Sequence, residues 1–280
     1  MVFSSIISEL LEGVTTAQSW LKVVAFFFAW GVAWLPVAAL VAIAVRWQPG
    51  QPLTSEKKIP LLASLYLIVP LIVWGTIAIE GTSLANYGLS WNFSLLISLL
   101  GGLAIAIFGL LLVFGIESAL GWVEWQWENF GRLRSQVLPI LTLGLLIGII
   151  EELIFRGILY NFFHSDLGVG LAAILSSLIF ALTHLLWEQQ DTLPQLPGLW
   201  LMGLVLVLAR LVDGGQLGLP WGLHAGWVWG LTCLDSAELI TYTTKGSPWF
   251  TGLNQNPLAG IAGISCLLLT GVVLVALGTL

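Results

Sequence analysis

Two adjacent carboxylates and an arginine interrupt an apolar run that begins at Val137. They are Glu151, Glu152 and Arg156, within the sequence GIIEELIFRG. Charged side chains are costly inside a membrane span and mark a functional site by default. A helix turns about 100° per residue, so Glu152 and Arg156 share a face at i, i+4 and predict an ion pair. Glu151 points about 100° away from Glu152, and we expect it to face another helix or a water-filled cavity.

The surroundings of the two carboxylates predict two different roles. Arg156 neutralises Glu152. A carboxylate that lacks a neighbouring cation in apolar surroundings holds a proton more readily, which suits a general base or acid acting on water. Glu151 is therefore the candidate catalytic carboxylate. The alternative is structural: the ion pair fixes helix packing, and Glu151 is protonated and hydrogen-bonded to a neighbour.

Histidines provide the second set of candidate residues, and the chain contains three. His184 lies near the end of a predicted span, in SLIFALTHLL, and His224 lies early in another, in GLPWGLHAGWVW. Two imidazoles and the Glu151 carboxylate on separate spans can polarise a water, with or without a divalent metal such as zinc held by the three side chains. Glu188, one turn after His184, could orient it, although solvation is the simpler interpretation. His164 is expected to be a solvated loop residue.

Signatures of other catalytic mechanisms are absent from the sequence. There is no H-E-x-x-H, and no G-x-S-G occurs around a serine within a predicted span. Asp213 precedes two glycines in a predicted loop, and an aspartyl mechanism is not favoured there. Cys233 and Cys266 lie in apolar surroundings, so neither a disulfide framework nor a thiolate metal site is indicated.

The composition is that of a membrane protein. The 280 residues are 58% hydrophobic and only 9% charged, whereas about a quarter of the residues in soluble domains are charged. We therefore expect a polytopic protein whose surroundings are the lipid bilayer. Nine Lys and Arg residues and a net charge of −6 argue against a nucleic-acid partner.

The predicted fold is an all-α membrane protein with about eight transmembrane helices and the site inside the helical bundle. It is predicted as one polytopic domain over residues 1–280, with a catalytic-type core over residues 137–234. A span needs about 20 apolar residues. The predicted spans are Val23–Val45, Ile59–Ile79, Phe93–Ile116, Val137–Tyr160, Gly168–Trp187, Leu199–Val212, Leu219–Leu234 and Pro257–Leu280. Residues 1–20 and 117–136 mix apolar and polar positions and predict helices that lie in the membrane interface.

Three motifs resemble those of a known family. EELIFRG (Glu151–Gly157) matches the E-E-x-x-x-R motif of the CPBP family, which comprises the type II CAAX prenyl endopeptidases and the bacterial abortive-infection (Abi) proteins. FALTH (Phe180–His184) matches its F-x-x-x-H motif, and His224 matches the histidine that opens its third motif. The resemblance covers about Val137 to Leu234, with the motifs in the family's order.

The resemblance implies an intramembrane endopeptidase in a bacterial plasma membrane or a plastid-type membrane. It implies a water activated by Glu151 together with His184, while His224 stabilises the oxyanion. Glu152, Arg156 and the motif residue Phe180 would support these groups. The implied partner is a protein or peptide substrate, which is lipidated for the family's eukaryotic members. The sequence leaves a metal-dependent and a glutamate-type mechanism both open.

One position departs from the family's third motif. Val228 stands four residues after His224, where the family has Asn or Asp. Valine cannot donate a hydrogen bond, and losing one oxyanion donor costs an enzyme about 10²–10³ in rate. Either Trp227, Trp229 or Thr232 supplies a donor, or catalysis is weak.

This departure keeps a second class of function open, in which the chain is a proteolytically inactive membrane scaffold or immunity-type protein with the same fold. A third hypothesis is a proton-coupled transporter with Glu151 as its titrating group. It has little support, because the sequence shows no pair of broken helices in matching halves.

Overall fold

A computed structural model describes residues 13, 15–48, 50–51, 53–186 and 189–278. The chain separates into two compact units, Met1–Asn86 and Tyr87–Leu280. Most of the interfacial helix predicted for residues 1–20 lies outside the described residues. The single domain over residues 1–280 stays a prediction.

The first unit contains helices α1 (Ser19–Ala44), α2 (Ser55–Leu67) and α3 (Val69–Glu80). Helices α2 and α3 succeed each other almost without a break, and Pro70 stands at the start of α3. A proline lacks the N–H that would continue the helical ladder, which accounts for the interruption. Near the other end of α3, Glu80 forms an ion pair with Lys22 of α1.

The second unit holds the candidate site. The 3₁₀ turn Leu84–Tyr87 precedes it. Its elements in chain order are α4 (Phe93–Ala119), β1 (Val123–Trp125), α5 (Phe130–Glu151), a π-helix (Glu152–Leu159), α6 (Tyr160–Thr183), α7 (Leu196–Val212), α8 (Gly218–Ser236), β2 (Ile240–Tyr242) and α9 (Ile261–Gly278). Short helical turns join several of these elements, including Gln189–Thr192 and Pro248–Thr251.

Helix α8 packs against both α4 and α5, and glycines set the distance between the backbones. A Cβ on Gly102 of α4 would overlap the Leu219 carbonyl of α8, and a Cβ on Gly222 of α8 would overlap the Leu99 carbonyl of α4. Small residues allow this close approach between apolar helices. Gly101, the neighbour of Gly102, faces open space. The close contact therefore involves one side of α4, and it fixes the helix that carries His224.

Strands β1 and β2 pair antiparallel, with Val123 opposite Tyr242 and Trp125 opposite Ile240. The interfacial helix predicted for residues 117–136 is therefore wrong. Helix α4 ends at Ala119, and Gly121 adopts a left-handed conformation with φ 70°. The strand forms because it finds a partner more than a hundred residues later in the chain, a contact that local periodicity does not reveal.

The all-α membrane fold is confirmed, and the count of eight spans is only approximate. Among the described residues, six helical runs are long and apolar enough to cross a membrane: Ser19–Ala44, Glu56–Glu80, Phe93–Ala119, Trp127–Leu186, Gln189–Val212 and Ile261–Gly278. The run Trp127–Leu186 covers 60 residues and contains the predicted fourth span and most of the fifth, with a non-helical Gly168 between them. Helix α8 is not among the six. Its polar residues, among them His224, Thr232 and Asp235, lower its apolar character.

Candidate active site

The site is built on a change of helix type. Helix α5 ends at Glu151, and the next eight residues, Glu152–Leu159, form a π-helix in which every side chain is buried. The regular α-helical geometry expected for this segment is therefore wrong. The predicted ion pair is nevertheless present: Arg156 Nη1 lies 3.0 Å from Glu152 Oε1, and both side chains are fully buried. π-Turns are rare and occur frequently at functional sites.

His224 links the two carboxylates. Its Nδ1 lies 2.7 Å from Glu152 Oε1, and its Nε2 lies 3.6 Å from Glu151 Oε2. An ionised carboxylate only accepts hydrogen bonds, and Glu152 is paired with Arg156, so Nδ1 donates to Glu152. This bond directs Nε2 towards Glu151. Glu152 and Arg156 thus hold the imidazole, and Glu151 faces its other nitrogen.

Phe180 forms the apolar centre around which these groups gather. Its ring is fully buried, and the Arg156 guanidinium lies 4.1 Å from the ring centroid. Cations are attracted to the face of an aromatic ring. The imidazole centroids lie 4.7 Å away for His184 and 5.9 Å away for His224, both in edge-to-face geometry. The structure therefore brings both predicted histidines into contact with the same phenyl ring.

His184 follows the last residue of α6 and begins a short 3₁₀ turn. Its Nδ1 lies 2.8 Å from the Phe180 carbonyl oxygen. A carbonyl oxygen only accepts, so Nδ1 donates and the neutral ring keeps its lone pair on Nε2. Its suggested partner Glu188 lies outside the described residues. His164 is exposed, but it lies in α6 rather than in a loop and stacks on Tyr160.

Arg210 is a buried residue of the site that the sequence reasoning missed. Its Nη1 donates to the Arg156 carbonyl and to Asn161 Oδ1, the latter at 2.9 Å, and its Nε donates to the Gly215 carbonyl at 3.0 Å. The guanidinium lies 5.0 Å from the ring centroid of Tyr160. A signal was present, because an arginine in the apolar run LVLVLARLV meets the same criterion that identified Glu151. Arg210 connects α7 to the backbone of the π-helix.

Asp213 fixes the beginning of the helix that carries His224. Its carboxylate accepts hydrogen bonds from Ser98 Oγ at 2.6 Å and from the Leu219 N–H at 3.0 Å. The first N–H groups of a helix lack partners within the helix, and a side-chain oxygen satisfies one of them here. Burial raises the pKa of Asp213, although these two hydrogen bonds act in the opposite direction. The contacts tie the start of α8 to α4.

The candidate metal ligands are Glu151, His184 and His224. Within the described part of the chain, no group of three or more His, Cys, Asp or Glu side chains is placed to hold a metal ion. Glu152 occupies Nδ1 of His224, and the Phe180 carbonyl occupies Nδ1 of His184. Both Nε2 atoms remain available, as they are in histidines that bind a metal through one nitrogen and donate from the other. The zinc arrangement considered from the sequence, in which three side chains share one ion, therefore stays a prediction.

Val228 is partly buried. The structure reduces the number of side chains that could replace the missing hydrogen-bond donor to the oxyanion. The Trp229 indole donates to the Val137 carbonyl at 2.9 Å, so it is already engaged. Thr232, two turns beyond His224, lines a separate cavity. Trp227 is buried one turn after His224 and is the remaining candidate of the three.

Comparisons with known proteins agree with the motif assignment. Residues 133–230 match the family model described as type II CAAX prenyl endopeptidase Rce1-like. Over 204 residues the chain is 28% identical to an Escherichia coli protein named "Uncharacterized 24.3 kDa protein", covering 70% of this chain and 87% of that relative. No solved structure matches the chain. Residues 133–230 are therefore similar to the Rce1-like domain, in agreement with the resemblance to the CPBP family that the three motifs carry.

Proposed function

We propose that this protein is an intramembrane endopeptidase that hydrolyses a peptide bond with a water activated by Glu151. One observation carries the proposal: Glu151 Oε2 lies 3.6 Å from His224 Nε2, in a buried position next to a fixed ion pair. This separation is longer than a direct hydrogen bond, and a water beside the pair can bond to both groups. The Rce1-like domain supports the same reaction class.

The proposed reaction uses protein groups only. Glu151 accepts a proton from the water as the water oxygen bonds to the scissile carbonyl carbon. The carbon–nitrogen bond then breaks, and Glu151 returns the proton to the leaving nitrogen. The lone pair on His184 Nε2 assists by accepting a hydrogen bond from the same water. The products are a carboxylic acid and an amine, so the atoms and protons balance.

Charge develops on the carbonyl oxygen during the attack, and His224 is the proposed donor to it. Its Nδ1 already donates to Glu152. His224 can therefore donate from Nε2 only as the imidazolium, which carries a proton on both nitrogens. Glu152 and Arg156 hold the ring in place for this role. A positioned donor of this kind stabilises the transition state more than the substrate.

Cleavage of a peptide set by the full chain in lipid nanodiscs tests the proposal. The set contains peptides with and without a prenylated cysteine near the C-terminus, and mass spectrometry identifies the products. Glu151→Gln keeps the shape of the side chain and removes the base, so cleavage should fall about 10²-fold or more. Glu128→Gln, at an exposed carboxylate, is the matched control and should retain full activity. Undiminished cleavage by Glu151→Gln would reject the proposal.

An inactive membrane scaffold is the second candidate function. Val228 and the engaged Trp229 indole favour it, because the family's usual donor position is apolar here. In that case Glu151→Ala and His184→Ala variants would retain the same bound partner proteins as the unmodified chain, and none would yield a processed product. Loss of a cellular effect in both variants would count against a scaffold.

A further inference from the structure

A polar cavity of about 810 Å³ lies within the second unit, apart from the candidate active site. None of the predicted catalytic residues lines it. The side chains that line the cavity include six amides: Gln126, Asn129, Gln195, Asn254, Gln255 and Asn256. Amides both donate and accept hydrogen bonds, as a peptide backbone does. The cavity therefore suits a ligand rich in both kinds of group.

One edge of strand β2 carries backbone groups that the sheet does not use. The Gln126 N–H donates to the Leu239 carbonyl, and the Thr243 N–H donates to the Trp122 carbonyl. Hydrogen-bonded pairs alternate along an antiparallel ladder. The N–H and C=O groups of residues 240 and 242 therefore point away from β1. Across the described ranges, no backbone hydrogen bond joins these groups to another segment.

The cavity runs along this unused edge. Ile240, Thr241 and Tyr242 line it in succession, whereas the three residues of β1 do not. Successive side chains of a strand point to opposite faces of a sheet. A cavity that touches three successive residues therefore follows the edge of the strand rather than one face. Exposed strand edges are templates for pairing with another chain.

We propose that the outer edge of β2 binds an extended peptide segment of the substrate as an added strand. Ile240 and Tyr242 each offer one N–H and one C=O to that segment. Extended peptides bind sheet edges in this way, with main-chain hydrogen bonds supplying affinity. This inference rests on the proposed function, because it describes how the substrate of that reaction is held.

Charge in the cavity selects the side chains of the bound segment. Its lining includes Asp235 and Glu238, and none of the described residues that line it is a lysine or arginine. Arg132 already pairs with Glu238 at 2.7 Å. Asp235 is exposed, and no ion pair with a lysine or arginine is seen for it among the described residues. It is therefore the carboxylate that a cationic ligand would meet. The segment that binds therefore carries a lysine or arginine.

Backbone strain also concentrates at this cavity. Asn254 and Gln255 are consecutive non-glycine residues with φ of 54° and 62°, and both line it. Left-handed conformations are unfavourable for most non-glycine residues and collect at ligand clamps and active sites. The strained turn is thus consistent with a surface shaped to hold a ligand.

The cavity lies within reach of the candidate active site. Leu231 lines it and follows His224 by seven residues, which places both on one face of α8. Seven residues of helix span about 10.5 Å, and an extended peptide covers that distance in about three residues. A bound segment that passes Leu231 therefore needs about three further residues to reach the level of His224 along α8.

Binding of a capped peptide of alternating threonine and lysine to the full chain in nanodiscs tests the inference without requiring cleavage. Fluorescence anisotropy is measured with the unmodified chain and with Glu151→Gln. N-methylation removes one backbone N–H at a time, and an added strand uses every second N–H on the paired side. Methylation of an N–H that faces β2 should weaken binding about 10-fold. Methylation of an N–H at the positions between them, which faces away from β2, should weaken binding much less. Equal effects at all positions, or no binding, would overturn the inference.

Two matched substitutions test the charge. Asp235→Asn should weaken binding of the lysine peptide about 3-fold, as expected for an exposed ion pair, and a glutamate-containing counterpart should bind more weakly than the lysine peptide. Asp166→Asn removes an exposed carboxylate in α6, away from the cavity, and should change nothing. Preference for the glutamate peptide would overturn the assignment. Because binding alone is measured, an inactive protease that still binds the peptide refutes only the proposed function.

Discussion

Two ion pairs in this protein have the same length and differ in how completely they are buried. Lys22 Nζ lies 3.0 Å from Glu80 Oε2 in the first unit, with side chains 14% and 18% exposed. Arg156 Nη1 lies 3.0 Å from Glu152 Oε1 in the second unit, with both side chains fully buried. The first pair joins two helices near their ends. The second is surrounded by the groups of the candidate active site.

The difference shows that distance alone does not define the role of an ion pair. A buried pair contributes little net stability, because removing two charges from water costs about as much as their attraction returns. It does impose geometry, since each partner must remain where the other can neutralise it. Glu152 also accepts a hydrogen bond from His224 Nδ1, so the ion pair fixes the position of the imidazole as well.

The largest effect is expected for breaking the buried pair. Arg156→Met leaves the Glu152 carboxylate buried without its cation, which should lower the free energy of unfolding by about 3–5 kcal/mol. Unfolding of the purified protein in detergent by denaturant provides the measurement. Combining Arg156→Met with Glu152→Gln removes both charges and should cost less than the single change. A single variant as stable as the unmodified protein would remove the distinction between the two pairs.

Arg210 provides an intermediate case, because it is a buried cation bonded to carbonyl and amide oxygens. Arg210→Met removes the donors to the Arg156 and Gly215 carbonyls, and the expected cost is about 2–3 kcal/mol. Arg210→Lys keeps the charge but not the planar fork, and should recover part of the loss. The same unfolding measurement applies. If the lysine variant were fully stable, charge rather than directed hydrogen bonding would explain the position of Arg210.

The smallest effect is expected for the partly buried pair of Lys22 and Glu80. Lys22→Met should change the free energy of unfolding by less than about 1 kcal/mol, because partly exposed ion pairs are weakened by solvent and salt. Glu80→Gln should behave in the same way. Thermal unfolding of each variant and of the unmodified protein is compared at low and high salt. Raising the salt concentration should reduce the difference in stability between variant and unmodified protein further. A loss as large as that for Arg156→Met would contradict this view of the pair.

The sequence predicted those parts of the site that depend on local spacing or on a motif. The ion pair followed from four-residue spacing between Glu152 and Arg156. The contact of His184 and His224 with Phe180 was not predictable, because it depends on how three helices pack. Arg210 was predictable from the sequence, since a charged residue in an apolar span marks a functional site by default.

The sheet and the π-helix were beyond what the sequence shows. Strands of three residues have no measurable periodicity, and Val123 and Tyr242 are far apart in the chain. The π-helix differs from an α-helix by one residue per turn in its hydrogen bonds, and no residue type specifies it. The predicted count of eight spans is only approximate for a related reason: α8 carries His224 and other polar residues, and it is not among the helices long and apolar enough to span a membrane in the described part of the chain.

The π-helix also has a consequence for insertions and deletions in this chain. A π-turn amounts to one additional residue placed in an otherwise α-helical run, and one residue corresponds to about 100° of rotation. Deleting a single residue between Glu152 and Arg156 should therefore restore a continuous α-helix and leave the helices on either side near their present orientation, because the π-turn already absorbs the additional residue. Glu152 and Arg156 would then be separated by three residues instead of four, and their ion pair would lose its present geometry. The motif therefore depends on the length of this segment as much as on its residues.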